Sequence, residues 1–182
     1  MKTTDKHIFF YTEWPSNFYP AKFTWKAFGE EHEFYCTEQA FMWAKAKNFS
    51  DEEIASRILV ADTPMDCKQL GRIVRGYIDK HWSLVRYNHM YNVNFEKYSQ
   101  NAALRAKLLD PAFDGKTFVE ASPTDCIWGI GRSEDDPLID NEKKWRGQNL
   151  LGRVLTQVRK EIVHDFQEEK EDNEEEKEDK SA

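Results

Sequence analysis

The clearest pattern in the sequence is an apolar stripe at helical spacing near the C-terminus. After position 149, apolar side chains recur at steps of three, four, seven and eleven residues: Leu151, Val154, Leu155, Val158 and Ile162. This spacing places all five on one face of an α-helix, and that face must be covered by other parts of the chain. The remaining segments must therefore supply a packing partner for this helix.

A second long helix is predicted upstream, over about residues 80–98. Its large side chains recur at steps of three and four residues, and we expect them to form a wide stripe in the core: Leu84, Tyr87, Tyr91, Phe95 and Tyr98.

Shorter helices are predicted from residues that favour helix starts. Thr37 precedes a run rich in Ala, Met and Lys, and Ser50 with Glu53 has the spacing of a capping box. Thr63 followed by Pro64 predicts a third start, because proline is favoured in the first helical turn. Asn101 is expected to begin a short helix that runs through Leu109.

The strand signals are few and short. Residues 7–11 and 117–121 are strand-like, and residues 22–28 and 32–36 flank Gly29-Glu30 in the manner of a β-hairpin. Together with the helices, these segments predict an α+β fold: a single compact, mostly helical domain with a small antiparallel sheet.

The charge of the chain is divided unevenly between two segments. The formal net charge is -7, and residues 167–182 contain nine acids against three lysines. Residues 1–166 are thus nearly neutral, so a protein that coats nucleic acid with a broadly basic surface is disfavoured. We expect a domain at 1–166 followed by an acidic, disordered tail at 167–182.

Other features exclude several further classes. No apolar run approaches the roughly 20 residues of a membrane helix, and residues 1–7 do not resemble a secretory signal, so we expect a cytoplasmic protein. Three separated cysteines and five histidines lack the spacing of metal ligands, so neither a metal nor another cofactor is expected. No obligate protein partner is inferred.

Three local groups could carry chemistry: residues 16–20, the helix start at 36–41, and the Gly-rich loop at 125–131. Two acids, two indoles and glycine-rich backbone would suit a flat heterocycle joined to a sugar phosphate. Taken singly, each residue also has a structural interpretation. Glu38 could be a charge that stabilises a helix start, and Trp82 and Trp128 could be core anchors.

These groups and several others resemble the NADAR family, also called the YbiA-like family, in the same order along the chain. The matching pieces are Phe10-Tyr11, Ser16-Asn17-Phe18, Thr37-Glu38-Gln39-Ala40-Phe41 with Lys45, Leu70-Gly71-Arg72, Trp82, Phe118-Val119-Glu120, Asp125-Cys126-Ile127-Trp128-Gly129-Ile130-Gly131 and Gly147-Gln148-Asn149-Leu150-Leu151-Gly152.

The resemblance implies a metal-independent hydrolase of N-glycosidic bonds with a YbiA-like fold. The implied substrates are phosphorylated ribosylamino-pyrimidines, which are reactive intermediates of riboflavin biosynthesis. Two alternatives stay open: a hydrolase that removes ADP-ribose from guanine in DNA, and a non-catalytic module that binds NAD or ADP-ribose. The expected partner is a small nucleotide-like molecule, with DNA a partner only in the first alternative.

Carried over by position, the resemblance implies that Glu38 and Asp125 are catalytic. One would activate water and the other would stabilise the sugar cation, and the two assignments could be exchanged. The implied substrate-binding residues are Trp128, Trp82, Lys45, Arg72, Asn17, Gly129 and Asn149.

Lys45 and Arg72 are candidate phosphate ligands, although ordinary surface ion pairs would explain them equally well. We also expect the helix that begins near Asn149 to offer free backbone N–H groups to an anion. The chain departs from the family pattern at Gln39, where His is common, at Ile130, where the YbiA branch has Asp, and in a longer insertion at 132–147.

Overall fold

The computed structural model describes the backbone of residues 1–179 and the side chains of residues 1–165. In this part of the chain, five strands and six α-helices follow one another in the order β1 (Lys2–Thr3), β2 (His7–Phe10), β3 (Phe23–Ala27), β4 (Glu30–Phe34), α1 (Thr37–Asn48), α2 (Glu52–Leu59), α3 (Pro64–Arg72), α4 (Asp79–Gln100), α5 (Ala102–Leu108), β5 (Thr117–Glu120) and α6 (Leu150–Asp179). The predicted α+β architecture, mostly helical with little sheet, is confirmed.

The predicted hairpin is present, with Ala27 paired to Glu30 across a two-residue turn. Phe28 and Gly29 have φ angles of 53° and 80°. Positive φ at both central positions is the geometry of a type I′ turn, whose twist matches that of the antiparallel strands it joins.

The hairpin is the predicted small antiparallel sheet, and the structure adds a second sheet that was not predicted. This second sheet has the order β1-β2-β5, and β2 runs parallel to β5, with Phe10 opposite Glu120. Parallel neighbours need a long crossover, and here α1 to α5 all lie between the two strands in the chain. Local sequence patterns reveal hairpins, but this pairing joins segments at opposite ends of the domain.

The predicted helix start at Thr63 is confirmed, whereas the one at Ser50 is not. Thr63 caps α3 through a hydrogen bond from the Asp66 backbone N–H, as predicted. The capping box at Ser50 is not formed, because Ser50 has a φ of 56° and lies in the turn before α2. Asp51 caps α2 instead, by accepting from the Ile54 N–H.

The C-terminal stripe forms the centre of the core. All five of its apolar residues are at most 2% exposed, and α6 packs against both β5 and α4. The stripe predicted on α4 is only partly correct, since Tyr98 is buried whereas Leu84 is 75% exposed. Because α4 packs against α1 as well as α6, its buried surface is not one continuous face.

The acidic segment at 167–182 includes the C-terminal part of α6, up to Asp179. Its side chains lie outside the described residues, so its disorder stays a prediction. None of the helices within residues 1–179 combines the length and apolar content that a bilayer-spanning helix requires.

The contact between α6 and β5 should tolerate no added volume at Gly152. A Cβ at this position would lie 2.0 Å from the Phe118 carbonyl oxygen. We expect Gly152→Ala to lower the free energy of unfolding by about 3 kcal/mol, because the backbone of α6 or β5 must shift. Urea denaturation measures this change. Lys160→Ala, on the exposed side of the same helix, is the control, and equal stability losses in the two variants would contradict the close contact.

Candidate active site

A cleft opens at the edge of the sheet where the parallel strands β2 and β5 end. Open sheets commonly bind ligands beyond the carboxyl ends of parallel strands. The cleft has an outer chamber of about 650 Å³ and an inner chamber of about 100 Å³. Five residues line both chambers, so the two are parts of one site: Ser16, Phe18, Lys68, Glu120 and Asp125.

Glu38 lines the inner chamber from the first turn of α1. It is 6% exposed, and its backbone N–H donates to the Asn17 carbonyl at 3.0 Å. Burial, assisted by the nearby charge of Asp125, raises the pKa of Glu38 to about 7 although nearby cations act in the opposite direction. A carboxyl group with this pKa can take up and release a proton near neutral pH.

Asp125 lies in the loop after β5, and its orientation is determined by the backbone. Its Oδ1 accepts hydrogen bonds from the N–H groups of Ile127 and Trp128, both at 2.8 Å. These two hydrogen bonds hold the carboxyl group in one orientation. The structure thus brings both predicted acids, Glu38 and Asp125, to the same inner chamber.

A third acid in the cleft, Glu120, was not predicted as a site residue. It is the last residue of β5 and lines both chambers. Burial, with smaller contributions from Asp125 and Glu38, raises its pKa to about 8. The available signal was a charged residue at the end of a buried apolar strand, and it becomes informative only once the parallel pairing is known.

Lys68 was also missed, although it lines both chambers from α3. Arg72, which was predicted, lies four residues further along the same helix and lines the outer chamber. Residues four apart share a helix face, so the Lys68–Arg72 spacing was a usable signal. The two side chains place positive charge beside the acids.

Of the two predicted tryptophans, only Trp128 lines the cleft. Trp128 lines the inner chamber and meets the edge of the Phe41 ring, with centroids 5.1 Å apart. Trp82 is outside the lining of both chambers. It packs against the same Phe41 ring at 5.2 Å and stacks on His89. One aromatic ring therefore separates Trp82 from the cleft.

Of two further predicted binding residues, Asn17 lines the cleft and Lys45 does not. Asn17 lines the inner chamber and is 7% exposed. The Lys45 ammonium donates to the Gly71 carbonyl at 2.7 Å and lies 4.2 Å from the centroid of the Tyr77 ring. Lys45 is thus engaged at the C-terminal end of α3 and lines neither chamber.

Gly129 and Asn149 shape the cleft through the backbone. A Cβ on Gly129 would lie 2.9 Å from Ser122 Cβ and 3.0 Å from the carbonyl oxygens of Asp125 and Glu120. The Asn149 side chain accepts from the Glu120 N–H and donates to the Phe118 carbonyl, which pairs it with the free edge of β5.

The anion site expected at the start of the last helix is not formed. The N–H groups of Asn149, Leu150 and Leu151 donate to carbonyl oxygens in the loop 127–129. Donors engaged in this way cannot also bind a phosphate. Within the part of the chain with described side chains, no group of three potential ligands could hold a metal ion.

The loop that carries Asn17 is held in place by a buried lysine. Lys97 is fully buried, and its ammonium donates to the carbonyls of Trp14 and Ser16 at 2.9 and 3.1 Å. Burial lowers the pKa of Lys97 to about 7. Because Glu38 donates its N–H to the same loop, Lys97 supports one wall of the inner chamber.

Comparison with known proteins identifies the family of this chain. A family model for the NADAR domain matches residues 4–163. The chain belongs to the NADAR domain family. This confirms the family expected from the motifs.

Several named proteins are similar to this NADAR chain. Protein irg-1 of Caenorhabditis elegans is 42% identical over 81% of this chain and 74% of its own length. N-glycosidase R617 of Acanthamoeba polyphaga mimivirus is 35% identical over 87% of this chain and 97% of its own length. The riboflavin biosynthesis protein PYRR of Zea mays is 31% identical over 78% of this chain, which corresponds to 20% of that protein.

A solved structure shares the fold. The NMR structure of YbiA from Escherichia coli superposes with a TM-score of 0.69 at 27% identity, and it covers 92% of this chain and 90% of YbiA. Several of these relatives are named N-glycosidases, that is, hydrolases of N-glycosyl bonds. This is the enzyme class that the resemblance predicted.

Stability should depend on pH through the two acids with raised pKa. A raised pKa in the folded state contributes stability that is fully present below the ordinary value near 4.5 and is lost as pH rises through the folded value. For Glu38 this loss is on the order of 2 kcal/mol between about pH 5.5 and 9. Glu38→Gln and Glu120→Gln should each weaken the decline.

Chemical denaturation across this pH range measures the effect. Glu31→Gln, at an exposed strand position, is the matched control and should retain the wild-type decline. If the decline is the same in all three variants, the pKa values of Glu38 and Glu120 are not raised as described.

Proposed function

We propose that this NADAR protein hydrolyses the N-glycosidic bond of phosphorylated ribosylamino-pyrimidine intermediates of riboflavin biosynthesis. The observation that carries the proposal is the inner chamber, in which Glu38, Asp125 and Trp128 surround a space of about 100 Å³. The names of the relatives support it, since several are N-glycosidases and one is a riboflavin biosynthesis protein.

The two predicted acids have environments that suit different roles. As the base departs, positive charge develops on the ribose, and a fixed carboxylate stabilises it. Asp125 fits this role, because two backbone donors hold its carboxylate in one orientation. Glu38, with a pKa of about 7, suits the deprotonation of the attacking water.

The remaining lining residues would position the substrate. Trp128 offers a flat indole face to a pyrimidine ring. Lys68 and Arg72 line the wider outer chamber, where they would bind the 5′-phosphate. In this arrangement, the scissile bond lies where the two chambers meet, next to the acids that line both.

Glu38→Gln is expected to reduce kcat by 100-fold or more, on the order expected for loss of a general base. The amide is nearly isosteric, so the variant should fold. Release of free pyrimidine from the ribosylamino-pyrimidine phosphate, followed by mass spectrometry, measures the rate. Glu31→Gln should behave like the wild type, and normal turnover by Glu38→Gln would disprove its role.

The phosphate contacts are tested by removing positive charge from α3. Lys68→Met and Arg72→Met should each raise KM for the phosphorylated substrate about tenfold, consistent with loss of a charge-assisted hydrogen bond. KM for the dephosphorylated ribosylamino-pyrimidine should change little. Lys26→Met, at an exposed position of β3, is the control. Equal effects on both substrates would argue against phosphate binding by these residues.

The size of the outer chamber favours a second candidate, a hydrolase that removes ADP-ribose from guanine in DNA. A volume of about 650 Å³ is enough for a ligand larger than a ribose phosphate. Incubation with ADP-ribosylated guanine DNA and with NAD, beside the pyrimidine substrates, distinguishes the candidates by the product released. Binding of NAD or ADP-ribose without any product would favour a non-catalytic module.

A further inference from the structure

Cleavage of an N-glycosidic bond requires a proton donor as well as a base. The C1′–N bond breaks with its electron pair moving to nitrogen, and an amine or amide nitrogen leaves poorly unless it is protonated. The proposed function gives roles to Glu38 and Asp125, and both roles use a carboxylate. The following inference rests on that function and concerns the source of the proton.

Glu120 differs from the other two acids in its surroundings. Asp125 receives two backbone hydrogen bonds, and Glu38 lies in the first turn of α1, where the helix dipole favours negative charge. The Oε2 atom of Glu120 is buried, and no described residue donates a hydrogen bond to it. Besides burial, the charges of Asp125 and Glu38 favour its neutral form, and the Lys68 ammonium opposes them with a smaller effect than burial or Asp125.

This environment favours the neutral acid. A buried carboxylate without a donor and beside other carboxylates is strongly disfavoured, whereas a protonated carboxyl group needs no counter-charge and carries an O–H donor. Two backbone donors fix the orientation of Asp125, Glu38 ionises near neutral pH, and Glu120 keeps its proton to a higher pH than Glu38.

The backbone fixes Glu120 at the junction of the two chambers. Its N–H donates to the Asn149 side chain at 3.0 Å, and its carbonyl accepts from the Ile130 N–H at 3.0 Å. A residue held on both sides by hydrogen bonds is well placed to present its side chain in one orientation. Glu120 lines both chambers. It is therefore next to the point where the chambers meet, which is where the proposed function places the scissile bond.

We infer that Glu120 is the general acid that protonates the nitrogen of the departing base. In this step the C1′–N bond breaks, its electron pair goes to nitrogen, and the Glu120 carboxyl proton is transferred to that nitrogen. Water adds its oxygen to C1′ and gives a proton to the Glu38 carboxylate. One water is consumed, and proton exchange with solvent restores both acids.

The test compares two leaving groups on the same sugar. A ribosylamino-pyrimidine phosphate needs protonation, whereas 4-nitrophenyl riboside 5-phosphate releases a stable anion without it. Glu120→Gln should lower kcat/KM for the first substrate by 100-fold or more and for the second by less than about fivefold. Glu38→Gln should slow both substrates, and Glu31→Gln should slow neither.

The outcomes separate this inference from the proposed function. If the wild type cleaves the pyrimidine substrate and Glu120→Gln leaves it unchanged, or slows both substrates equally, Glu120 is not the acid although the proposed function stands. If the wild type releases no pyrimidine base from its substrate, the proposed function fails and the inference fails with it.

A measurement on the unmodified protein covers the case in which Glu120→Gln does not fold. Because the acid must be protonated, wild-type kcat/KM for the pyrimidine substrate should fall above about pH 8, following the titration of Glu120. The nitrophenyl substrate should show no such alkaline decline. The same alkaline decline for both leaving groups, or for neither, would overturn the assignment.

Discussion

The parallel pairing of β2 with β5 is the interaction on which the site depends. It brings Tyr11, which follows β2, to the same edge as Glu120, and both line the outer chamber. The pair is secured from the other side by Asn149, whose side chain bonds to the backbone of β5. The close approach of Gly152 to the Phe118 carbonyl then seats α6 against the same strand.

The cleft contains three acids that differ mainly in the backbone groups around their carboxyl groups. Asp125 is held by two N–H donors, Glu38 lies in the first turn of a helix, and the buried oxygen of Glu120 receives no described hydrogen bond. Burial and mutual repulsion raise the pKa of Glu38 and of Glu120 to different extents. Acids of the same chemical type can in this way serve as electrostatic stabiliser, base and proton donor within one small space.

Much of the local structure follows from short-range patterns. The buried stripe of α6, the Thr63 cap and the hairpin around Gly29 all depend on residues close together in sequence. Predictions failed where two local solutions competed, as at Ser50 and Asp51, which both resemble caps. The expected anion site before α6 failed for a different reason, because the neighbouring loop already uses the donors.

The sequence alone determined the helices, the hairpin and the near-neutral charge of residues 1–166, because periodicity, capping and charge are properties of nearby residues. The resemblance to the family pointed to the short motifs that contain Glu38, Asp125 and Trp128. Only the tertiary structure decided which of these side chains meet. It added Lys68 and Glu120 to the cleft and separated Trp82 and Lys45 from it. The reason is that contacts across a parallel strand pair join segments more than a hundred positions apart, for which no local pattern contains the information.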